Sequence, residues 1–285
     1  MSLSDSEASP LVTTDWLARH MDAPDVRVVD GSWLMPNSDR DAKQEYASAH
    51  IPGAVFFDID DIADPNTDLP HMLPGADLFS SRVRKLGLGS GNKIVCYDSN
   101  GMWSAARVWW MFRTMGHRDV VVLDGGFPKW RNEGRAVEDL APRPRERHFI
   151  ARVNRNLVRD LDQVAAASRT KAEQVIDARG EDRWRGQGTE PREGVRSGRV
   201  PGSINVPYGN LLNKDGTFKA QAELKAEFEG AGLDLSRPAV TSCGSGITAC
   251  ILMVALELIG KTDVAVYDGS WTEYGGHENT EVETG

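Results

Sequence analysis

Short β-branched runs alternate along this chain with longer stretches of helical period. In the second half, Val175-Ile176 predicts a strand, 221–229 an amphipathic helix, 239–242 a second strand, 248–259 a helix and 264–267 a third strand. The 248–259 segment is apolar on nearly every face, which predicts a helix buried on all sides rather than one lying on the surface. Strands of about four to six residues separated by helices predict an α/β fold, a parallel sheet with helices on its faces.

The same pattern occurs twice. Val28-Val29-Asp30 matches Val175-Ile176-Asp177, and His50-Ile51-Pro52-Gly53-Ala54 matches Arg199-Val200-Pro201-Gly202-Ser203. Ile94-Val95-Cys96-Tyr97-Asp98 matches Ala239-Val240-Thr241-Ser242-Cys243, and Val122-Leu123-Asp124-Gly125-Gly126 matches Val266-Tyr267-Asp268-Gly269-Ser270. The matches keep their order at a nearly constant spacing of roughly half the chain, so the sequence reads as two copies of one domain. We place the first at 11–140 and the second at 154–285. Between them, Pro142, Pro144 and a cluster of arginines interrupt any periodicity.

Composition narrows the picture only slightly. A length of 285 residues suits two domains, each able to bury a sizeable core. The longest apolar run is far shorter than the roughly 20 residues of a membrane span, so no membrane partner is expected. The first ten residues are polar and acidic, without the basic-then-apolar pattern of an export signal. Three scattered cysteines fit free thiols in a reducing cytoplasm. A net charge of -9 argues against a nucleic-acid partner but not against a small anion held by a local arginine cluster. No Cys/His cluster has metal-ligand spacing, and Gly87-Leu88-Gly89 lacks a phosphate-loop context, so neither metal nor cofactor is expected.

The candidate chemistry centres on Cys243-Gly244-Ser245-Gly246-Ile247-Thr248-Ala249. Its order is strand, glycine-rich turn, buried helix, and ligand chemistry in parallel sheets collects at the carboxyl ends of strands. A loop entering a helix N-terminus aims several N–H groups at one spot, and the helix dipole adds partial positive charge there. Such a place favours the nucleophilic thiolate. The other reading is a buried, inert thiol, as expected at Cys96 and Cys250. The repeat favours the nucleophile, because Asp98 stands at the matching position of the first copy and the fold does not require a cysteine there.

This loop resembles the active-site loop of the 3-mercaptopyruvate sulfurtransferases of the rhodanese superfamily, which reads Cys-Gly-Ser-Gly-Val-Thr-Ala and differs only at Ile247. The resemblance extends over nearly the whole chain, through Phe56-Phe57-Asp58-Ile59-Asp60, His71-Met72-Leu73-Pro74-Gly75, Arg107-Val108-Trp109-Trp110-Met111-Phe112 and Tyr267-Asp268-Gly269-Ser270-Trp271. It implies tandem rhodanese-like domains, the first catalytically silent and the second active. It further implies sulfur transfer from 3-mercaptopyruvate through a Cys243 persulfide to a thiol acceptor, such as thioredoxin or a small thiol, or to cyanide.

By the same resemblance Ser245, His71 and Asp60 form a Ser-His-Asp set, with His71 and Asp60 from the first domain. Arg183 and Arg192 bind the substrate, with Gly244, Gly246, Ile247 and Thr248 lining the loop. Composition alone does not separate these two arginines from Arg179, Arg185, Arg196 and Arg199. A guanidinium fork suits a carboxylate beside a keto oxygen. Thiosulfate sulfurtransferases resemble Cys-Arg-Lys-Gly at the loop and are the alternative enzyme reading; a non-catalytic sulfur relay is another. Related phosphatases need an arginine six residues after the cysteine, where this chain has Ala249.

Overall fold

The computed structural model describes residues 9–140 and 142–285. The start of the polar N-terminal segment, up to Ala8, in which no export signal is expected, and Ala141 of the proline-rich linker lie outside the described residues. The chain forms two compact units. The first contains the described residues up to Pro65, together with Leu73–Asn154 and Asn213–Phe218; the second contains Asn66–Met72, Arg155–Leu212 and Lys219–Gly285. One short segment from each half of the sequence therefore packs with the unit formed by the other half, a feature that repeat matching does not reveal.

The first unit runs β1 (Leu11–Val12), α1 (Thr14–His20), β2 (Val26–Asp30), α2 (Ala42–Ser48), β3 (Val55–Phe56), α3 (Ala76–Lys85), β4 (Lys93–Tyr97), α4 (Ala105–Thr114), β5 (Val120–Leu123) and α5 (Gly126–Asn132). The second runs β6 (Val158–Arg159), α6 (Leu161–Thr170), β7 (Gln174–Asp177), α7 (Glu181–Trp184), β8 (Ile204–Asn205), α8 (Gln221–Gly230), β9 (Ala239–Ser242), α9 (Ala249–Leu258), β10 (Val264–Tyr267) and α10 (Ser270–Gly276). Each has a parallel five-stranded sheet, ordered β1-β5-β4-β2-β3 in one and β6-β10-β9-β7-β8 in the other. The edge strands β1, β3, β6 and β8 are two residues long, shorter than the pattern predicts, because an edge strand has a ladder on one side only.

The predicted interior helix is α9, in which every residue but Glu257 is buried. Its counterpart α4 buries Trp109, Trp110, Met111 and Phe112 completely. Each such large apolar side chain contributes roughly 1.5–3 kcal/mol of burial. The amphipathic α8 behaves differently, burying only Leu224 and Phe228, four residues apart on one face. In the second unit Val175, Val240, Tyr267 and Trp271 share a core cluster, which fixes the strands that carry the loop chemistry.

Strand register supports the alignment of the two copies. Asp30 pairs with Tyr97 in the first sheet, as Asp177 pairs with Ser242 in the second. Asp98 and Cys243 are thus each the first residue beyond equivalent strands.

Candidate active site

Cys243 leaves the carboxyl end of β9 and is 2% exposed. Gly246, at φ +81°, turns the chain back so that its N–H donates to Cys243 Sγ at 3.1 Å. The N–H groups of Ile247, Thr248 and Ala249 follow at the start of α9, where no preceding helical turn exists to accept them. The α10 end clamps the loop from the other side. Trp271 N–H donates to the Cys243 carbonyl at 2.9 Å, and Thr272 donates to the Gly244 carbonyl from its N–H at 2.8 Å and its hydroxyl at 2.6 Å.

The first unit shows what this kind of cup holds. Asp98 Oδ1 accepts the Asn100 N–H at 2.9 Å, while Oδ2 accepts those of Trp103, Ser104 and Ala105 at 2.8, 3.0 and 2.9 Å. The carboxylate is 1% exposed. Counting back from the helix starts, Trp103, Ser104 and Ala105 correspond to Ile247, Thr248 and Ala249. At equivalent strand ends, backbone amides before the helix hold an internal carboxylate in one unit, and the Gly246 N–H holds a cysteine sulfur in the other. Asp98→Ala removes charge-assisted bonds, each worth roughly 1.5–3 kcal/mol. We expect urea denaturation to show a loss of about 3 kcal/mol or more; stability equal to wild type would mean that the cup does not depend on its anion.

Ser270 is a site residue that the sequence reading passed over. Its hydroxyl accepts the Cys243 N–H at 3.1 Å, donates to the Tyr267 carbonyl at 2.8 Å and lies 4.0 Å from Cys243 Sγ. It holds φ +49°, a region that non-glycine residues avoid. Its counterpart Gly126 has φ +53°, and a Cβ there would fall 2.7 Å from the Gly101 carbonyl oxygen. The pairing of Gly126 with Ser270 in the repeat was the available signal: a serine where the turn favours glycine points to use of its hydroxyl.

The arginines separate by their surroundings. Arg179 is buried, binds Asp177 through both Nε and Nη2, reaches Glu190 at 2.9 Å and the Gly198 carbonyl at 2.8 Å, and lies 4.5 Å from the Trp271 ring centroid. Burial works to lower its pKa, but Asp177, through its charge and hydrogen bonds, and then the charge of Glu190 raise it on balance. Arg196 binds carbonyls at the end of α10, and Arg199 binds Glu283 and stacks on Trp184. Arg185 makes an exposed pair with Glu181. Arg183 is half-buried and anchored to Glu190 at 2.5 Å. Its guanidinium stands over the loop, for a Cβ at Gly244 would lie 3.4 Å from Nη2. Arg192 is half-buried in the stretch between α7 and β8. Trp184 donates to Ser203 Oγ at 3.0 Å and packs against Arg199, which makes it a support of this segment.

His71 belongs to the second unit through the Asn66–Met72 segment. It is buried at φ +44°, and its Nε2 lies 2.7 Å from the Ser245 carbonyl oxygen. A carbonyl only accepts, so Nε2 carries the proton. The imidazole thus reaches Ser245 through the main chain, whereas the relay drawn from the sequence uses the hydroxyl. Asp60, in the first unit, accepts the Trp33 indole N–H at 2.8 Å. The remaining cysteines are buried free thiols. Burial pushes the Cys96 thiol well above the usual range, and Cys250 donates to the Gly246 carbonyl at 3.3 Å. Among the described residues no group of three His, Cys, Asp or Glu side chains is arranged to hold a metal, and no helix is long and apolar enough to cross a membrane.

The model of the rhodanese-like domain matches residues 13–133 and again 160–277. The chain belongs to the rhodanese family. Among its rhodanese relatives, a 3-mercaptopyruvate sulfurtransferase of Escherichia coli is 39% identical over 95% of this chain and 97% of its own. A thiosulfate sulfurtransferase of Rattus norvegicus is 42% identical over 93% and 91%. The crystal structure of a 3-mercaptopyruvate sulfotransferase from Escherichia coli superposes with a TM-score of 0.85 at 38% identity, covering 92% of this chain and 99% of that one.

Proposed function

We propose that this rhodanese is a 3-mercaptopyruvate sulfurtransferase acting through a persulfide on Cys243. The observation that carries this reading is the pairing of a buried sulfur that accepts the Gly246 N–H with the Arg183 guanidinium beside the uncharged Gly244. In the first half-reaction the Cys243 thiolate attacks the donor sulfur. The electron pair of the breaking C–S bond passes to the three-carbon fragment as an enolate, which takes a proton at carbon and leaves as pyruvate. The thiol proton of the donor balances that protonation, leaving an enzyme persulfide anion. In the second half-reaction an acceptor thiolate, of thioredoxin or of a small thiol, takes the outer sulfur and restores Cys243.

In this scheme the loop amides stabilise the thiolate and then the persulfide anion, as the matching amides hold the Asp98 carboxylate. Arg183 and Arg192 bind the donor carboxylate and keto oxygen, and Gly244, Gly246, Ile247 and Thr248 shape the loop beside them. Ser245 and His71 handle the proton, with Asp60 the carboxylate of the set. A reducing compartment such as the cytoplasm suits a catalytic thiol. Loading the enzyme with 3-mercaptopyruvate alone should add one sulfur atom to the Cys243 peptide in mass spectrometry. Steady-state turnover should favour this donor over thiosulfate. Loading without small-donor turnover would instead indicate a relay protein, and a preference for thiosulfate would assign the other activity. Unchanged pyruvate release in His71→Asn would remove the imidazole from proton handling.

The arginines provide a separate check. Arg183→Ala should raise KM for 3-mercaptopyruvate roughly ten- to a hundred-fold, the loss of one charge-assisted bond of about 1.5–3 kcal/mol, with little change in stability. Arg179→Ala should instead destabilise the second unit by about 3–5 kcal/mol, because it leaves Asp177 buried without its partner. Kinetics and urea unfolding of both variants test the assignment. It fails if Arg185→Ala, on the exposed Glu181 pair, raises KM as much as Arg183→Ala.

A further inference from the structure

The linker arginines that interrupt the sequence periodicity do not hang free. Gly87, at φ +70°, and Gly89 let the linker approach the turn after α3. A Cβ at Gly87 would meet Pro144 Cβ at 2.7 Å, and one at Gly89 would meet Arg147 Cβ at 3.1 Å. Ser90 N–H donates to the His148 carbonyl at 2.9 Å, Arg84 Nε donates to the Phe149 carbonyl at 2.9 Å, and Phe149 is buried against Phe79 and Phe112. The linker is therefore a fixed wall of the first unit. Between it and the start of β2 lies a cavity of about 330 Å³, lined by Arg27, Arg143, Arg145 and Arg147 and by the apolar Val26 and Val55.

We infer that this cavity is a binding site for a small polyanion bearing phosphoryl or sulfo oxygens. Among the described residues none of these four arginines is in an ion pair, whereas Arg135, Arg159, Arg179, Arg183, Arg185 and Arg199 all have carboxylate partners. Acids outnumber bases in this chain, 42 to 33, so four cations gathered without carboxylate partners run against its composition. The acids nearest in sequence, Asp25 and Glu146, are exposed and do not line the cavity. Arg27 has its pKa lowered by burial and then by the charge of Arg147, while Asp25 opposes both. An anion between Arg27 and Arg147 would relieve that repulsion. Planar guanidinium forks pair with phosphoryl and sulfo oxygens, and the volume falls at the lower end of small-molecule sites, about 300–1,000 Å³.

The test is calorimetric titration of the full chain with inorganic pyrophosphate, and in a second arm with sulfate, at constant ionic strength. Saturable binding of pyrophosphate is expected, weakened at least tenfold in Arg27→Gln/Arg147→Gln and retained in Arg183→Ala, which removes an arginine proposed to bind the sulfur donor. Tighter binding of pyrophosphate than of sulfate assigns the site to phosphoryl ligands, and the reverse to sulfo ligands. Arg143→Gln/Arg145→Gln changes only exposed linker side chains and should weaken binding with sulfur transfer unchanged, which guards against a folding defect in the first pair. Heats that do not saturate in either arm, or affinity unchanged in both double variants, would overturn the inference.

Discussion

Cys243→Ser should reduce sulfur transfer by at least about a thousand-fold while the protein stays folded. The substitution is nearly isosteric but replaces the sulfur with a hydroxyl, a far weaker nucleophile at neutral pH that cannot carry the outer sulfur. Stability should change by about 1 kcal/mol or less, because the contacts holding the loop run through the backbone of Cys243 and Gly244 and survive the change. Steady-state turnover and urea unfolding measure the two parts separately. Turnover within tenfold of wild type would remove Cys243 from the mechanism. Cys96→Ala and Cys250→Ala should show the opposite pattern, since both thiols are buried and distant from solvent. Their loss leaves cavities that cost stability while chemistry continues.

The fold was largely legible because it is written in period and order. The three interior strands β7, β9 and β10 and the buried helix α9 come directly from β-branched runs and an unbroken apolar stretch. The edge strands are shorter than the pattern suggests, since hydropathy reports burial and not how many ladder bonds a residue makes. The exchanged segments Asn66–Met72 and Asn213–Phe218 were not legible, because nothing local distinguishes a segment that packs with its own unit from one that packs with the other.

The site divides along the same line. Cys243 and its glycines are local, and the contrast with Asp98 marks them. Six arginines in one polar stretch look alike in composition; what separates them is burial and partner, which bring Glu190 onto both Arg179 and Arg183 and leave Arg185 with Glu181. Ser270 was written in the repeat, yet its meaning depends on the positive φ that its turn requires. The His71 imidazole reaches Ser245 at its main-chain carbonyl, a contact that residue types do not encode.

The loop itself should set donor choice. Replacing Gly244-Ser245 with Arg-Lys should move the ratio of kcat/KM for thiosulfate over 3-mercaptopyruvate upward by roughly ten- to a hundred-fold, the effect of one charge-assisted contact of about 1.5–3 kcal/mol on a dianion. Two causes act together. The new cations would face the doubly charged donor, whereas positions 244 and 245 of the native loop carry no charge. An arginine at position 244 would also start beside the Arg183 guanidinium, whose Nη2 lies 3.4 Å from the site of a new Cβ. Like charges at that distance repel, and Arg183 would be displaced from the position proposed to bind the donor carboxylate. KM for 3-mercaptopyruvate should therefore rise even as thiosulfate turnover improves. Ser245→Lys alone separates the causes, because it adds a cation while keeping the main-chain carbonyl that His71 binds and leaving Arg183 undisturbed. It should raise thiosulfate turnover with a smaller rise in that KM. If the double replacement still loads sulfur onto Cys243 but leaves the donor ratio unchanged, loop charge does not govern specificity, and donor choice must rest on the arginines alone.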